Sequence, residues 1–320
     1  MAIKTVLTEH LEIEQPVISA PMALVAGGRL AAAVSEAGGL GLIGGGYGDA
    51  DWLQRELGVA QRARVGVGFI TWCLARQPRL LDLALAHSPA ALMLSFGDAR
   101  PFAQKIKSAA VPLICQVQTV AQAREAVALG ADIVVAQGSE AGGHGAARAT
   151  LPLVPAVVDA VGEVPVVAAG GIADGRGLAA ALMLGASGVL VGTRFYAAVE
   201  SLAHERAKQR LIAASGDDTV RSAVFDQVRG IDWPAPYDLH TLRNSFSDRW
   251  HGREVELEED LAAEQARYTQ AREAGDFDVA AVVAGEAAGL VRALAPAASI
   301  VEDMVAEAQK LLHRAGSLVA

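Results

Sequence analysis

Residues 165–195 read PVVAAGGIADGRGLAAALMLGASGVLVGTRF. Two short apolar runs, 165–169 and 188–191, bracket an Ala/Leu-rich segment at 175–184, and each run ends on glycine: Gly170-Gly171 and Gly192, followed by Thr193. Runs that are apolar at every position mark strands buried on both faces, as in a parallel sheet covered by helices. The same unit recurs upstream at 16–20, 39–43, 65–70, 91–94, 112–117 and 131–135. Between these runs lie segments of helical period such as 28–37, 51–60, 78–87 and 121–129, several with Arg and Glu on the opposite face. Eight such units predict an α/β fold, a (β/α)8 TIM barrel, over the alternative of an open doubly wound sheet.

Past residue 198 the texture changes. Residues 200–230 read as helical and mixed in charge, 231–237 (IDWPAPY) as a Pro-broken loop, and 254–273 as a charged helix. Two further helices are expected at 279–294 and 299–312, on either side of Pro296. The expected organisation is a barrel over 1–198, a helical cap or substrate domain over 199–296, and a C-terminal helix over 297–320 that returns to the barrel.

A hydrophobic share of 52% over 320 residues fills a large core and excludes disorder. The net charge of −9 argues against a nucleic-acid partner, which needs concentrated Lys and Arg. No stretch of ~20 uninterrupted apolar residues is present and the start MAIKTVLTEHLEIEQ has no apolar signal core, so no membrane partner and a cytoplasmic location are expected. The two cysteines, Cys73 and Cys115, lie in or beside apolar runs and read as core residues; they make neither a disulfide framework nor a zinc site. The composition is compatible with a homo-oligomer.

In a parallel barrel the active site lies at the C-terminal ends of the strands. Here those ends are Pro21-Met22, Gly44 to Gly46, Thr71-Trp72, Ser95, Gln116 with Gln118, Gln137, Gly170-Gly171 and Gly192-Thr193. Amides, hydroxyls and glycines dominate, and fixed charge is nearly absent. Such a rim suits a neutral heterocycle or a phosphate held by backbone N–H groups; it does not suit a divalent metal, which wants clustered carboxylates. Any single glycine is explained by strand termination alone. Two Gly-rich loops after the last two strands, however, make the phosphate site common in barrels, set against a helix N-terminus.

The connection after the sixth strand, beginning Gln137-Gly-Ser-Glu-Ala-Gly-Gly-His-Gly145, runs to about residue 150, longer than the usual two to six residues. Its one histidine, His144, has glycine on both sides, which leaves it no local packing partner. An imidazole titrating near neutrality over the barrel mouth suits a general base or a donor to an anionic substrate. Glu140 reads as a loop-ordering or solvated carboxylate, and the remaining histidines are assigned nothing. The aromatics Trp233, Tyr237, Phe246 and Trp250 are placed either as an apolar pocket wall or as core packing within the cap.

QGSEAGGHG at 137–145, PVISAPMA at 16–23, AAGGIADGRGLAAALMLGASGVLVGTRF at 168–195 and AGDFDVAAVVAGEAAGLV at 274–291 together resemble the nitronate monooxygenase family, over essentially the whole chain. The motifs are shared with a broader flavoprotein group that includes FMN-dependent enoyl reductases and quinone reductases. The resemblance implies non-covalent FMN, with Ala20, Pro21, Met22 and Ala23 along the ring and Gln116, Gln137 and Gly142 in contact with the cofactor. Gly170, Gly171, Leu190, Val191, Gly192 and Thr193 would serve its ribityl phosphate side. His144 matches the histidine that takes the α-proton of a nitroalkane or orients the nitro group. Gly68 stands where many relatives have Asn, with Thr71 or Trp72 placed to compensate. The implied reaction is oxidation of alkyl nitronates, and of nitroalkanes, by O2 to a carbonyl compound and nitrite.

Two other functions compete. An FMN-dependent NAD(P)H reductase of an enoyl thioester or quinone shares the motifs, and the missing dinucleotide fingerprint weighs little against it because such enzymes bind nicotinamide loosely. A non-catalytic flavin- or phosphate-binding barrel is opposed by His144. Aldolase or isomerase chemistry is disfavoured, since no strand end carries a Schiff-base lysine or paired carboxylates.

Overall fold

The computed structural model describes residues 2–61 and 63–318. Residues 1, 62, 319 and 320, which include the outer ends of the first and last expected segments, lie outside the described residues. Strands β1 (Val17–Ser19), β2 (Leu40–Gly44), β3 (Gly66–Ile70), β4 (Leu92–Ser95), β5 (Leu113–Val117) and β6 (Ile133–Gln137) follow one another around a barrel. After an excursion through β7 (Gly143–Gly145), β8 (Val166–Ala169) and β9 (Gly188–Val191) complete it. All neighbours are parallel, and β9 closes on β1 with Val17 opposite Val189 and Ser19 opposite Val191.

The uninterrupted apolar runs are explained by burial on both faces: every residue of β2, β6, β8 and β9 is buried. One face fills the barrel interior, where Ile18, Leu42, Ile114, Val135, Val167 and Leu190 interdigitate; Leu7 and Leu11 from the N-terminal helix Val6–Leu11 join that cluster. The other face meets the surrounding helices. Close packing demands glycine at Gly41 on β2, where a Cβ would lie 1.9 Å from the carbonyl oxygen of Ala31 in the helix Gly28–Glu36. No larger residue fits there without separating helix from strand.

Beyond β9 the chain is not all helix. Within the stretch expected to be helical, β10 (Thr219–Ser222) follows the helix Glu205–Ala213 and pairs antiparallel with β11 (Asp238–Leu242). β11 in turn pairs with β7, so that Leu239 lies opposite His144. The long connection after β6 is thereby stitched into a three-stranded sheet with the cap.

Residues 279–285 also depart from the expected helix. Val282 O accepts from Leu242 N and Val283 bridges to Thr241, while Asn244 Nδ2 donates to Ala280 O at 3.0 Å. Pairing with β11 thus overrides the helix propensity of an Ala-rich run, and only a short 3-10 turn, Glu286–Leu290, follows. The charged stretch 254–273 forms two helices, Glu254–Glu259 and Leu261–Ala274. The last helix, Ala297–Ala315, lies against the helix Gly175–Met183, where Glu307 accepts the backbone N–H of Gly175 at 2.8 Å. None of the helices among the described residues is long and apolar enough to cross a membrane.

Candidate active site

A cavity of about 1420 Å³ opens at the C-terminal ends of the strands, between barrel and cap. Ala20, Pro21, Met22, Ala23, Gln116, Gln137, Gly142, His144, Gly170, Gly171, Leu190, Gly192 and Thr193 all line it; Val191 is buried in β9 behind that lining. Among the described residues no three His, Cys, Asp or Glu side chains gather as metal ligands.

The barrel side of the cavity is made of backbone. Gly170 and Gly171 hold φ of +108° and +72°, conformations that L side chains rarely adopt, and so turn the chain sharply at the end of β8. Glu140 braces this turn from behind: its carboxylate accepts from Thr150 N at 2.9 Å and from Thr150 Oγ1 at 2.7 Å. That is the loop-ordering role. Thr193 Oγ1 accepts from Gly285 N at 3.1 Å, which leaves its own O–H proton to donate into the cavity. The helix that starts at Thr193 is a single turn, Thr193–Tyr196, so it offers amides and not the macrodipole of a long helix.

Three amides cross the floor. Gln137 Oε1 accepts from Gln116 Nε2 at 3.0 Å and from Gln118 Nε2 at 2.8 Å, and Gln137 Nε2 donates to His144 O at 3.1 Å. Gln137 therefore has one N–H left for a ligand, whereas the carbonyl of Gln116 has no protein partner among the described residues. Gly68 also lines the cavity, and its lack of a side chain has a cause: a Cβ there would lie 2.3 Å from Pro21 Cγ. Thr71 is buried behind the rim and Trp72 is on the lining.

The cap side is built from side chains. His144, only 6% exposed, is not the partnerless loop residue that its glycine neighbours suggest. Those glycines are the other two residues of β7, and the imidazole packs at long range. Its Nε2 lies 2.8 Å from Asp226 Oδ2, and its ring stacks on Trp233 with centroids 3.4 Å apart and planes 12° from parallel. Asp226, 5% exposed, sits on the helix Val224–Arg229. Its other oxygen lies 3.5 Å from Arg229 Nη1, and Arg229 Nη2 donates to Tyr47 OH at 3.2 Å. Trp233 Nε1 donates to the same hydroxyl at 3.3 Å. Burial pushes the His144 pKa below the ordinary imidazole range, Asp226 opposes that shift, and Arg229 and Arg221 add to it. Burial thus favours the neutral form of this imidazole.

Arg221 on β10 holds this wall to the loop. Its guanidinium donates to Ser139 O at 2.7 Å, Ala141 O at 3.2 Å, Gly145 O at 3.2 Å and Asp238 O at 2.7 Å. Of the four cap aromatics, Trp233 lines the cavity and Tyr237 packs on Phe96, 5.1 Å between centroids. Phe246 and Trp250 are buried in the cap core beside Phe225. Asp226, Arg229, Tyr47 and Arg221 carry no local sequence signal; the β10–β11 sheet brings Asp226, Arg229 and Arg221 to β7, and Tyr47 comes from the loop after β2.

A family model for nitronate monooxygenase matches residues 4–66 and 74–307. The chain is 34% identical to a nitronate monooxygenase of Neurospora crassa, over 95% of its own length and 92% of that protein. Among solved structures, FabK from Thermotoga maritima superposes with a TM-score of 0.88 at 32% identity, covering 99% of this chain and 100% of that one. A nitroalkane oxidase from Streptomyces ansochromogenes superposes with a TM-score of 0.77 at 28% identity, covering 96% and 99%.

Proposed function

The chain belongs to the nitronate monooxygenase family, a family of oxidoreductases, and on that footing we propose that it oxidises alkyl nitronates, and neutral nitroalkanes through His144, with O2 and bound FMN. The observation that carries this reading is one cavity with an uncharged glycine cradle on one wall and a single buried base on the other. Members of the family are flavoenzymes. FMN in particular fits what surrounds it: a phosphate needs amide and hydroxyl donors, and the turn at Gly170-Gly171 with Gly192 and Thr193 supplies them without fixed charge. At about 1420 Å³ the cavity exceeds the ~300–1,000 Å³ of ordinary ligand pockets, leaving room for a cofactor and a substrate together.

Ala20, Pro21, Met22 and Ala23 would flank the ring, with Gln116, Gln137 and Gly142 at its polar edge. Gly170, Gly171, Leu190, Val191, Gly192 and Thr193 would hold the ribityl phosphate end. Bound there, the flavin supplies the acceptor for the electrons of the nitronate carbon and their passage to O2, which yields a carbonyl compound and nitrite. The protein's part is acid–base and positional. His144 takes the α-proton of a neutral nitroalkane, a step that a nitronate does not need, and Trp233, Phe96 and Trp72 exclude water from the reacting carbon. The two buried free cysteines, Cys73 and Cys115, accord with a cytoplasmic enzyme.

His144→Asn tests the assignment. Turnover of nitroethane is expected to fall about 10²- to 10⁴-fold, the usual worth of a general base, while turnover of ethyl nitronate falls by far less. Equal losses on both substrates would remove the base assignment, and absence of nitronate turnover in the parent protein would remove the function. A second reading, an FMN reductase fed by NAD(P)H, is favoured by Arg76 and Arg272 on the cavity lining. Both are exposed and without a carboxylate partner among the described residues, as a dinucleotide phosphate would require.

A further inference from the structure

Asp226 lies 82 residues from His144 in sequence, on a cap helix outside the barrel. We infer that Asp226 is a positioning residue that holds His144 as its Nε2–H tautomer, so that Nδ1 is the atom that takes the α-proton. The inference rests on the reading of His144 as a base.

An ionised carboxylate only accepts hydrogen bonds, so the 2.8 Å contact between Nε2 and Asp226 Oδ2 makes Nε2 the donor. In a neutral imidazole the lone pair then resides on Nδ1. Nδ1 has no hydrogen-bond partner among the described residues, yet it is absent from the sealed polar atoms left unpaired in the interior. It therefore opens on the cavity that His144 lines. This is the reverse of the common arrangement, in which a carboxylate holds Nδ1 and Nε2 does the chemistry.

The carboxylate is itself fixed. Arg229 Nη1 stands at its second oxygen, 3.5 Å away, and Arg229 is tied through Tyr47 OH to Trp233, whose indole lies flat on the imidazole. Ring rotation is blocked by the indole on one face and the carboxylate at one edge. In the reaction the α-proton passes to Nδ1, the C–H electron pair becomes part of the nitronate C=N bond, and the Nε2–H bond stays intact against Asp226. No oxidant enters this step. The new imidazolium faces Asp226 and Arg229 from the cap helix, Arg221 from β10, and the Trp233 and Phe96 rings. Asp226 is the one anion among them, and it offsets one of the two guanidinium charges.

Asp226→Asn reverses the hydrogen bond. Arg229 can only donate, so it claims the amide oxygen and turns the NH2 group toward Nε2, which must then accept. The proton moves to Nδ1 and the base is lost. The test is ¹⁵N NMR of histidine-labelled, FMN-loaded protein at pH 8, with the His144 signals assigned by their loss in His144→Asn. The parent protein is expected to show a protonated Nε2 and an unprotonated Nδ1, and Asp226→Asn the opposite. Nitroethane turnover in Asp226→Asn should fall about 10²- to 10⁴-fold and ethyl nitronate turnover less than about threefold. Asp226→Glu, which keeps an acceptor, should keep the parent tautomer and recover part of the loss.

A parent spectrum with Nδ1 protonated overturns the proposal, and this holds even where Asp226→Asn fails to fold. Equal losses on the two substrates overturn it as well. Absence of nitronate turnover in the parent protein defeats the functional reading but leaves the tautomer measurement intact, so the two failures are distinguishable.

Discussion

The two walls of the cavity are made by different means. The barrel wall is backbone: tight glycine turns at Gly170 and Gly171, with Gly192 beside them, braced by Glu140 and Thr150 from the connection after the neighbouring strand β6. The opposite wall is side chains drawn from barrel connections (Tyr47, Trp72, Phe96), from β7 (His144) and from the cap (Asp226, Arg229, Trp233), which meet only through tertiary contact. A backbone wall holds a ligand of fixed shape and tolerates little substitution. A side-chain wall sets protonation and substrate fit, and single residues in it can change without loss of the fold. The division of labour proposed for cofactor and base follows that boundary, and it can be broken from either side.

After the His144 and Asp226 substitutions, the next largest effect is expected at the barrel wall. Gly170→Val forces a β-branched residue to φ +108° and sets its Cβ 2.8 Å from Thr150 Oγ1 and 3.1 Å from Gly138 O. Strain of about 1–3 kcal/mol at such a position corresponds to roughly tenfold to a hundredfold weaker FMN binding. Fluorescence titration of flavin-free protein would measure it, and the His144 step should persist once FMN is in excess. On the cap wall, Trp233→Ala removes the stack on His144, worth about 0.5–1.5 kcal/mol. KM for nitroethane should rise roughly two- to tenfold in steady-state assays, with FMN content unchanged. Loss of FMN from Trp233→Ala would erase the distinction between the walls.

The smallest effect is on stability. Burial holds His144 and His240 below their ordinary pKa, so the unfolded chain binds protons at pH values where the folded one does not. Stability is then fully present above about pH 6.5 and is lost as pH falls toward the folded values. Thermal melts should show a higher Tm at pH 8 than at pH 5.5, with a smaller difference in His144→Asn. A pH-independent Tm would contradict the buried, neutral imidazole.

The same boundary governs what could be read from the sequence. The barrel was legible because its strands are buried on both faces, so runs such as 166–169 and 188–191 have no polar interruption. The turn at Gly170-Gly171 was legible because positive φ selects glycine. His144 stood out in its loop, but its burial did not, since the glycines around it speak only of local space. Asp226 looked like one more acid on a charged helix, because its partner lies on a strand of three residues, too short for any period to register. At 279–285, Ala and Val signalled a helix, and pairing with β11 decided otherwise. Trp233 and Trp250 were equivalent in sequence; one lines the cavity and the other fills the cap core.

The most direct test of the account follows the absorbance of the purified, FMN-loaded protein. Without oxygen, NADH or NADPH should leave the flavin band intact. In air, ethyl nitronate should drive oxygen uptake and release nitrite. Rapid bleaching by NADH or NADPH, with no oxygen uptake on nitronate, would contradict the account and establish the reductase reading in its place.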